Sequence, residues 1–504
     1  MNAKRLLCIL ALLSSAFGPL RAQNRNVCFD ALTPGKTSSV EAYSGIERGD
    51  FRPGYSSSDI WRAGAVAKTR GRFGKSFLTG SFSFEEMHGK DMMTSMFINP
   101  GYYPIDVLEF TPGDKTLQTY RFDGGIAHSL NERWRIGGSM GFASQNYAKR
   151  KDIRHTNYAL DLTVAPSVLY SVEDGPQLGL SGVFRKTSES IEAEQVGAAT
   201  ADTYYAFFDK GMRYGTYQAW DGSGIHLAEA GVSRLPVREF SYGAAVQVLY
   251  SNVYFDAEYL RTDGLVGERG YDWYRFPGHR LAGNLSWQHA SLFSGRGRLA
   301  LHADWRGQRV EEAAWDKVTD GGITLPEVYG YNTVSRRRQT NLSADYQVSF
   351  IRRTVRSVQF GYSGTVWDEQ ASPQYPYTDR WHLWMNRLNA NVVTGLPFGG
   401  VWDRFALSLG ARCFWASDTL QGLEPADGSL TPATAPYRLT GDWDRRREYL
   451  TAPGLGLNGS LTYRLRCVSG LYLRLDASWT HAFEIDLLLG KNRWTSALRL
   501  GYDF

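Results

Sequence analysis

From Tyr158 the chain alternates with a period of two: Tyr158, Leu160, Leu162, Val164, Pro166, Val168, Tyr170 and Val172 fall on one side, and Ala159, Asp161, Thr163, Ala165, Ser167, Leu169 and Ser171, all but Leu169 small or polar, on the other. Successive side chains of a strand point to opposite faces, so this spacing predicts a strand with one apolar face and one small or polar face. The pattern returns at residues 240–250, 342–350, 405–415, 455–465 and 471–479. It closes the chain as well, where Leu498, Leu500, Tyr502 and Phe504 share a face opposite Ala497, Arg499, Gly501 and Asp503.

Alternation alone fits a soluble sandwich as well as a membrane barrel. The connections discriminate. Short turns such as "NER" at Asn131, "EDGP" at Glu173 and "RCVSG" at Arg466 alternate with long links over 87–115, 187–223, 262–278, 307–338 and 416–452. Short turns at one end, long loops at the other and apolar faces ending in Trp or Tyr predict an all-β, transmembrane, antiparallel up-and-down β-barrel. The hairpin count gives about 18 strands, with a range of about 14 to 18 and both termini on the periplasmic side. The expected organisation is a signal peptide over 1–22, a periplasmic N-terminal arm over 23–37 and the barrel over 38–504, with no separate plug domain.

Composition agrees: 504 residues carry 43% apolar and 14% aromatic side chains and 53 glycines, a balance that leans to β-structure. The run "LLCILALLSSAF" after Lys4 and Arg5 is short for a membrane helix and reads as the core of a signal peptide cleaved after Ala22. Cleavage removes three basic residues, Lys4, Arg5 and Arg21, and no acid, so the formal charge falls from +5 to +2. With only brief basic runs at 336–338 and 444–448, a nucleic-acid partner is not indicated. The mature chain keeps Cys28, Cys413 and Cys467, too few and too irregularly spaced for a disulfide scaffold or a metal motif. Parity points Cys413 into lipid. Cys28 and Cys467 both fall on the periplasmic side, which leaves open either a bridge or two free thiols.

The terminal strand resembles the β-signal of Gram-negative outer-membrane proteins, which addresses a last strand to the barrel-assembly machinery; Leu498, Leu500, Tyr502 and Phe504 match it and Ser496 departs from it. More broadly, the mature chain resembles a family of outer-membrane β-barrel proteins of unknown function from anaerobic Gram-negative bacteria. The resemblance implies an outer-membrane location with lipid as the immediate partner. A TonB-dependent transporter is disfavoured, because such barrels need about 22 strands and a preceding plug, and no room for one lies between Gln23 and Ser38.

Candidate chemistry is confined to the lumen and the loops. Arg412, Arg464, Arg466, Arg474 and Arg499 share inward faces with Asp476 and Asp503. They read either as a basic stripe attracting anionic solutes or, with greater weight, as a salt-bridge ladder. Inward Gly137, Ser139, Gly141, Ala143 and Gln145 leave room for water. An extracellular loop carries Tyr204, Tyr205, Phe207, Phe208, Tyr214, Tyr217 and Trp220, which either stack on a ligand or fold over the barrel mouth. His302 and Asp304 share an inward face and are the best local candidates for a catalytic pair, yet no nucleophile motif accompanies them. The reading is therefore a barrel that passes or binds a small polar solute, with no cofactor, metal or enzyme activity expected. An accessory or scaffolding barrel of a surface complex is the alternative, with an outer-membrane hydrolase ranked behind it.

Overall fold

The computed structural model describes residues 25–504 apart from 33–34, 152, 195–203, 222–223, 228–229, 233, 269–270, 292–294, 321–322, 351–353, 372–378, 396–404, 423–438 and 466–467. The first half supplies β1 (Thr37–Arg48), β2 (Asp59–Phe73), β3 (Ser76–Ser95), β4 (Asp106–Ser129), β5 (Trp134–Lys149), β6 (Arg154–Ser171) and β7 (Gln177–Glu194). Four short strands follow, β8 (Tyr204–Asp209), β9 (Gly215–Asp221), β10 (Gly224–Leu227) and β11 (Ala230–Val232). Next come β12 (Arg234–Tyr250), β13 (Val253–Glu268), β14 (Tyr271–Arg275), β15 (Gly278–Ser291), β16 (Gly295–Asp320) and β17 (Ile323–Phe350). The wall ends with β18 (Val355–Ala371), β19 (Asp379–Gly395), β20 (Phe405–Gly422), β21 (Gly454–Arg464), β22 (Leu471–Ala482) and β23 (Asn492–Asp503).

Leaving aside β8–β11 and β14, the strands form a closed antiparallel barrel of 18 strands. Closure is made by the terminal strand, which pairs with β1 from Ser39↔Asp503 to Arg48↔Trp494 and ends on the hydrogen bond from the Phe504 amide to Ser38 O, 2.9 Å. A bilayer offers no water to unpaired backbone groups, so a spanning sheet has to close in this way. The outward faces carry the apolar positions: Leu500 is 52% exposed and Phe504 74%, and Val246, Phe360, Leu409 and Leu457 are exposed with them. So broad an exposed apolar belt is incompatible with a soluble sandwich and fits lipid contact. The protein is an outer-membrane β-barrel, and the end bearing its short turns is the one that such barrels set toward the periplasm. Cys413 lies on the outer face, opposite Leu388 and Leu455.

The strands run beyond the span expected from the sequence. Much of the long link over 307–338 is a continuous hairpin of β16 and β17, paired in register from Gly295↔Phe350 to Asp320↔Ile323 with two irregularities. Above the membrane there is no lipid to enforce alternation, so pairing continues where the period-two signal fades.

Candidate functional site: segments folded into both ends of the lumen

Two sets of segments fold into the lumen. At the periplasmic end, residues 25–32 enter the barrel mouth, with a helical turn α1 (Val27–Asp30) capped by the Asn26 side chain on the Cys28 amide at 3.1 Å. Val27, Cys28, Phe29 and Ala31 pack against Phe77, Ala127 and Leu169 of the wall, and the Phe29 ring meets Tyr254 edge-on at 5.6 Å. The wall is cut to receive them. A Cβ at Gly125 would lie 2.8 Å from Val27 Cγ2, one at Gly137 would lie 2.7 Å from Val27 and 3.0 Å from Cys28 Sγ, and one at Gly179 would strike the Phe29 ring. Arg25 pairs with Glu258 at 2.9 Å, Asn26 donates to Gln247 at 3.1 Å, and Arg72 donates to Ala31 O at 2.7 Å. The space at Gly137 is thus filled by protein and not water, and Ser139 Oγ donates to Arg25 O at 3.3 Å. Cys28 is a free, buried thiol 3.9 Å from Ser167 Oγ, and burial pushes its pKa up. The bridge to Cys467 is therefore not formed; Cys467 itself lies outside the described residues.

At the extracellular end, the link between β3 and β4 turns inward. Pro100 and Gly101 sit centrally in a turn closed by the Tyr102 amide on Asn99 O at 3.0 Å, and Gly101 has φ +81°, the left-handed value a type II turn needs. Charged lumenal side chains hold the inserted loop. Glu189 accepts the Ile98 amide at 2.9 Å, and Asn157 donates to Met96 O at 2.8 Å. Arg337 donates to the carbonyls of Tyr102 and Tyr103 at 2.9 and 3.1 Å, and Tyr102 donates its hydroxyl to Glu239 at 2.8 Å. The Tyr102 ring lies 4.8 Å from the Arg306 guanidinium and 5.6 Å from that of Arg185. Burial raises the pKa of both tyrosines. Met96, Phe97, Tyr103 and Ile105 complete an apolar core with Val237, Val266, Phe276 and Val310.

The aromatic loop joins the same closure. Phe207 and Phe208 are buried in the β8–β9 hairpin, β8 pairs with the start of β4, and Phe208 stacks on Tyr274 at 4.7 Å. Tyr205 and Tyr217 are exposed, and Tyr214 donates to Asp379. Tyr204 and Trp220 are paired with each other across the hairpin. At its tip Met212 and Arg213 both have positive φ, 52° and 61°, an uncommon conformation for non-glycine residues. That turn aims Arg213 at three carboxylates, Asp209 at 2.6 Å, Asp442 at 2.7 Å and Asp106 at 3.5 Å; burial acts to lower its pKa, and the carboxylates outweigh burial and raise it. Asp442 belongs to α2 (Thr440–Thr451), a helix of the β20–β21 loop. Trp443 and Arg446 of α2 dock on Trp367 and Trp381, the Arg446 guanidinium lying 5.3 Å from the first ring and 5.7 Å from the second.

The inward arginines of the last strands are largely neutralised. Asp476 bridges Arg474 and Arg499 at 2.7 Å each, Arg499 reaches Glu41 at 2.8 Å, and Arg464 pairs with Asp503 at 3.0 Å. This ladder crosses the seam where β23 meets β1, so the bracing reading holds for these three; Arg466 lies outside the described residues. Arg412 is different: it donates to Thr480 Oγ1 at 2.5 Å and meets no carboxylate among the described residues. His302 and Asp304 do not pair with each other, since His302 shares a hydrogen with Asn284 at 2.6 Å and Asp304 holds Arg280 at 2.7 Å.

Residues 29–504 match the model of a family of unknown function, DUF6850. The chain belongs to that family. No curated protein matches this DUF6850 chain. Among solved structures it is similar to BauA, the ferric preacinetobactin receptor from Acinetobacter baumannii, at 6% identity and TM-score 0.41 over 93% of this chain and 80% of that one. It is likewise similar to the ferripyoverdine receptor of the outer membrane of Pseudomonas aeruginosa, at 8% identity and TM-score 0.39 over 94% and 72%.

Sequence reasoning missed the inward course of 25–32 and 96–105. Signals were present: the inward glycines at 125, 137 and 179, and the turn "NPGYY", which sets two tyrosines behind a Pro-Gly pair.

Proposed function

We propose that this DUF6850 protein is a gated barrel that binds and passes a small polar solute, its own arm and loops taking the place of a separate plug domain. One observation carries the reading. Between the two closures the wall is polar and solvent-accessible, with Arg121, Asp123, Arg387 and Asn458 exposed on inward faces, while both closures are held by noncovalent contacts. A sealed structural barrel gains nothing from keeping ionised groups in a hydrated cavity between two lids. Passage then requires the arm to leave the periplasmic mouth and the loop at 96–105 to release its carbonyls from Arg337.

Liposome swelling tests this. Protein with the arm and loop contacts intact leaves liposomes unswollen, and protein carrying Phe29→Ala with Arg337→Ala admits small neutral sugars. Folded double-substituted protein that stays sealed would overturn passage. No catalytic step is assigned; a hydrolase activity lost in His302→Ala would overturn that part. A scaffold for a surface complex is the second reading, supported by the β16–β17 hairpin, which beyond Glu312 and before Ser335 pairs, among the described residues, only with itself.

A further inference from the structure

Beneath the extracellular closure the wall carries two basic residues on neighbouring strands. Register places Arg412 opposite Asn389, two residues along β19 from Arg387, so the two arginines are diagonal neighbours on the inward face. Among the described residues neither meets a carboxylate within ion-pair distance, and Arg387 is exposed to the cavity. Trp381 and Leu383, buried in the closure, precede Arg387 on the same face, so the pair begins where the closure ends. Gly456 makes way for the Arg412 side chain, whose Cγ would lie 2.7 Å from a Cβ there.

Register sets Phe414 opposite Arg387 on the side of the closure, and on the other side of the pair the wall is made of amides and hydroxyls. The cross-strand row next to Arg412 runs Gln359, Asn391, Gly410, Asn458 and Ser478. Within it Asn391 accepts from Ser408 at 3.0 Å, and Asn458 is exposed to the cavity. On the far side of Asn389 stands one acid, Asp345, held by Gln359 at 3.0 Å. Two guanidinium groups side by side repel unless an anion lies between them, and guanidinium forks match a carboxylate in two-point geometry. Amides that both donate and accept match hydroxyl groups, and a carboxylate at the Asp345 end accepts another hydroxyl and repels a second acid.

We infer that Arg387 and Arg412 form the acid-binding end of a lumenal site for a small polyhydroxylated carboxylate, a sugar acid, whose hydroxyls lie along the amide row. The inference rests on the proposed solute reading and specifies its ligand class.

The test uses the full folded chain carrying Phe29→Ala, so that the periplasmic mouth does not limit access. Calorimetric titration is made with D-glucuronate, D-glucose and inorganic phosphate. Glucuronate is expected to bind at least about tenfold more tightly than either of the others, and Arg387→Gln and Arg412→Gln are each expected to weaken it about tenfold or more, since each removes a charge-assisted contact. Asn458→Leu weakens glucuronate and leaves phosphate unchanged. No glucuronate binding, or binding that both arginine substitutions leave intact in folded protein, overturns the site. Phosphate binding as tight as glucuronate overturns the sugar-acid assignment. Glucuronate bound by a barrel that never swells liposomes supports the site while contradicting passage, so the two claims fail separately.

Discussion

Phe29→Ala separates closure of the periplasmic mouth from stability of the barrel. Phe29 is 6% exposed, meets Tyr254 edge-on at 5.6 Å and covers Gly179, yet it takes no part in pairing the wall strands. Truncating a buried phenylalanine costs about 3–5 kcal/mol. Here the cost falls on the state with the arm inserted, because the released arm is solvated in either variant. At about 1.4 kcal/mol per tenfold, the released fraction rises by roughly a hundred- to several-thousand-fold. Cys28 reports it, being buried beside Ser167 with its pKa pushed up by burial, so a maleimide reaches it only after release. When reinsertion outruns the chemistry, the labelling rate is the intrinsic rate multiplied by the released fraction. The measurement is the labelling rate of Cys28 in protein carrying Cys413→Ala and Cys467→Ser, with heat-modifiable migration certifying the folded barrel. Folded Phe29→Ala protein that labels no faster than its parent would refute the arm as a displaceable closure.

Three further outcomes follow from the same geometry. Arg213→Met leaves Asp106, Asp209 and Asp442 buried without their shared cation, a loss of about 3–5 kcal/mol; hydrogen exchange over 205–217 should accelerate while the wall strands stay protected. Asp476→Ala strips Arg474 and Arg499 of their bridge at the seam, and because these groups are about a quarter to a third exposed the cost is toward the lower part of about 1–3 kcal/mol. It should appear as a lower temperature for loss of heat-modifiable migration. Deleting residues 502–504 removes the last contacts with β1, including the bond from Phe504 to Ser38, and should leave chains exported but not inserted, as read by fractionation.

The wall was legible in the sequence because lipid on one side and water on the other impose strict alternation, as in Leu455, Leu457 and Leu461 against Asn458 and Ser460. Arg464, Arg474 and Arg499 could be placed inward by parity alone, and Asp476 and Asp503 lay close enough to suggest the ladder. The closures were not legible in the same way. Arg337 meets the Tyr102 carbonyl across 235 positions of sequence, and Asn26 meets Gln247 across 221. Neither contact has a period, and loops folded into a lumen carry the same mixture of Tyr, Pro and Gly as loops in solvent. The inward glycines pointed to space without saying whether water or a chain segment fills it. Parity also could not tell Arg412 from its neighbours, because the difference lies in which acids the neighbouring strands bring to the same row.

The central claim is that this barrel is shut from within and opens by moving its own segments. Single-channel recording on the purified chain in a planar bilayer addresses it most directly. Silence is expected from the unsubstituted protein, and discrete openings from protein carrying Phe29→Ala with Arg337→Ala. A steady ohmic conductance from the unsubstituted chain would contradict it.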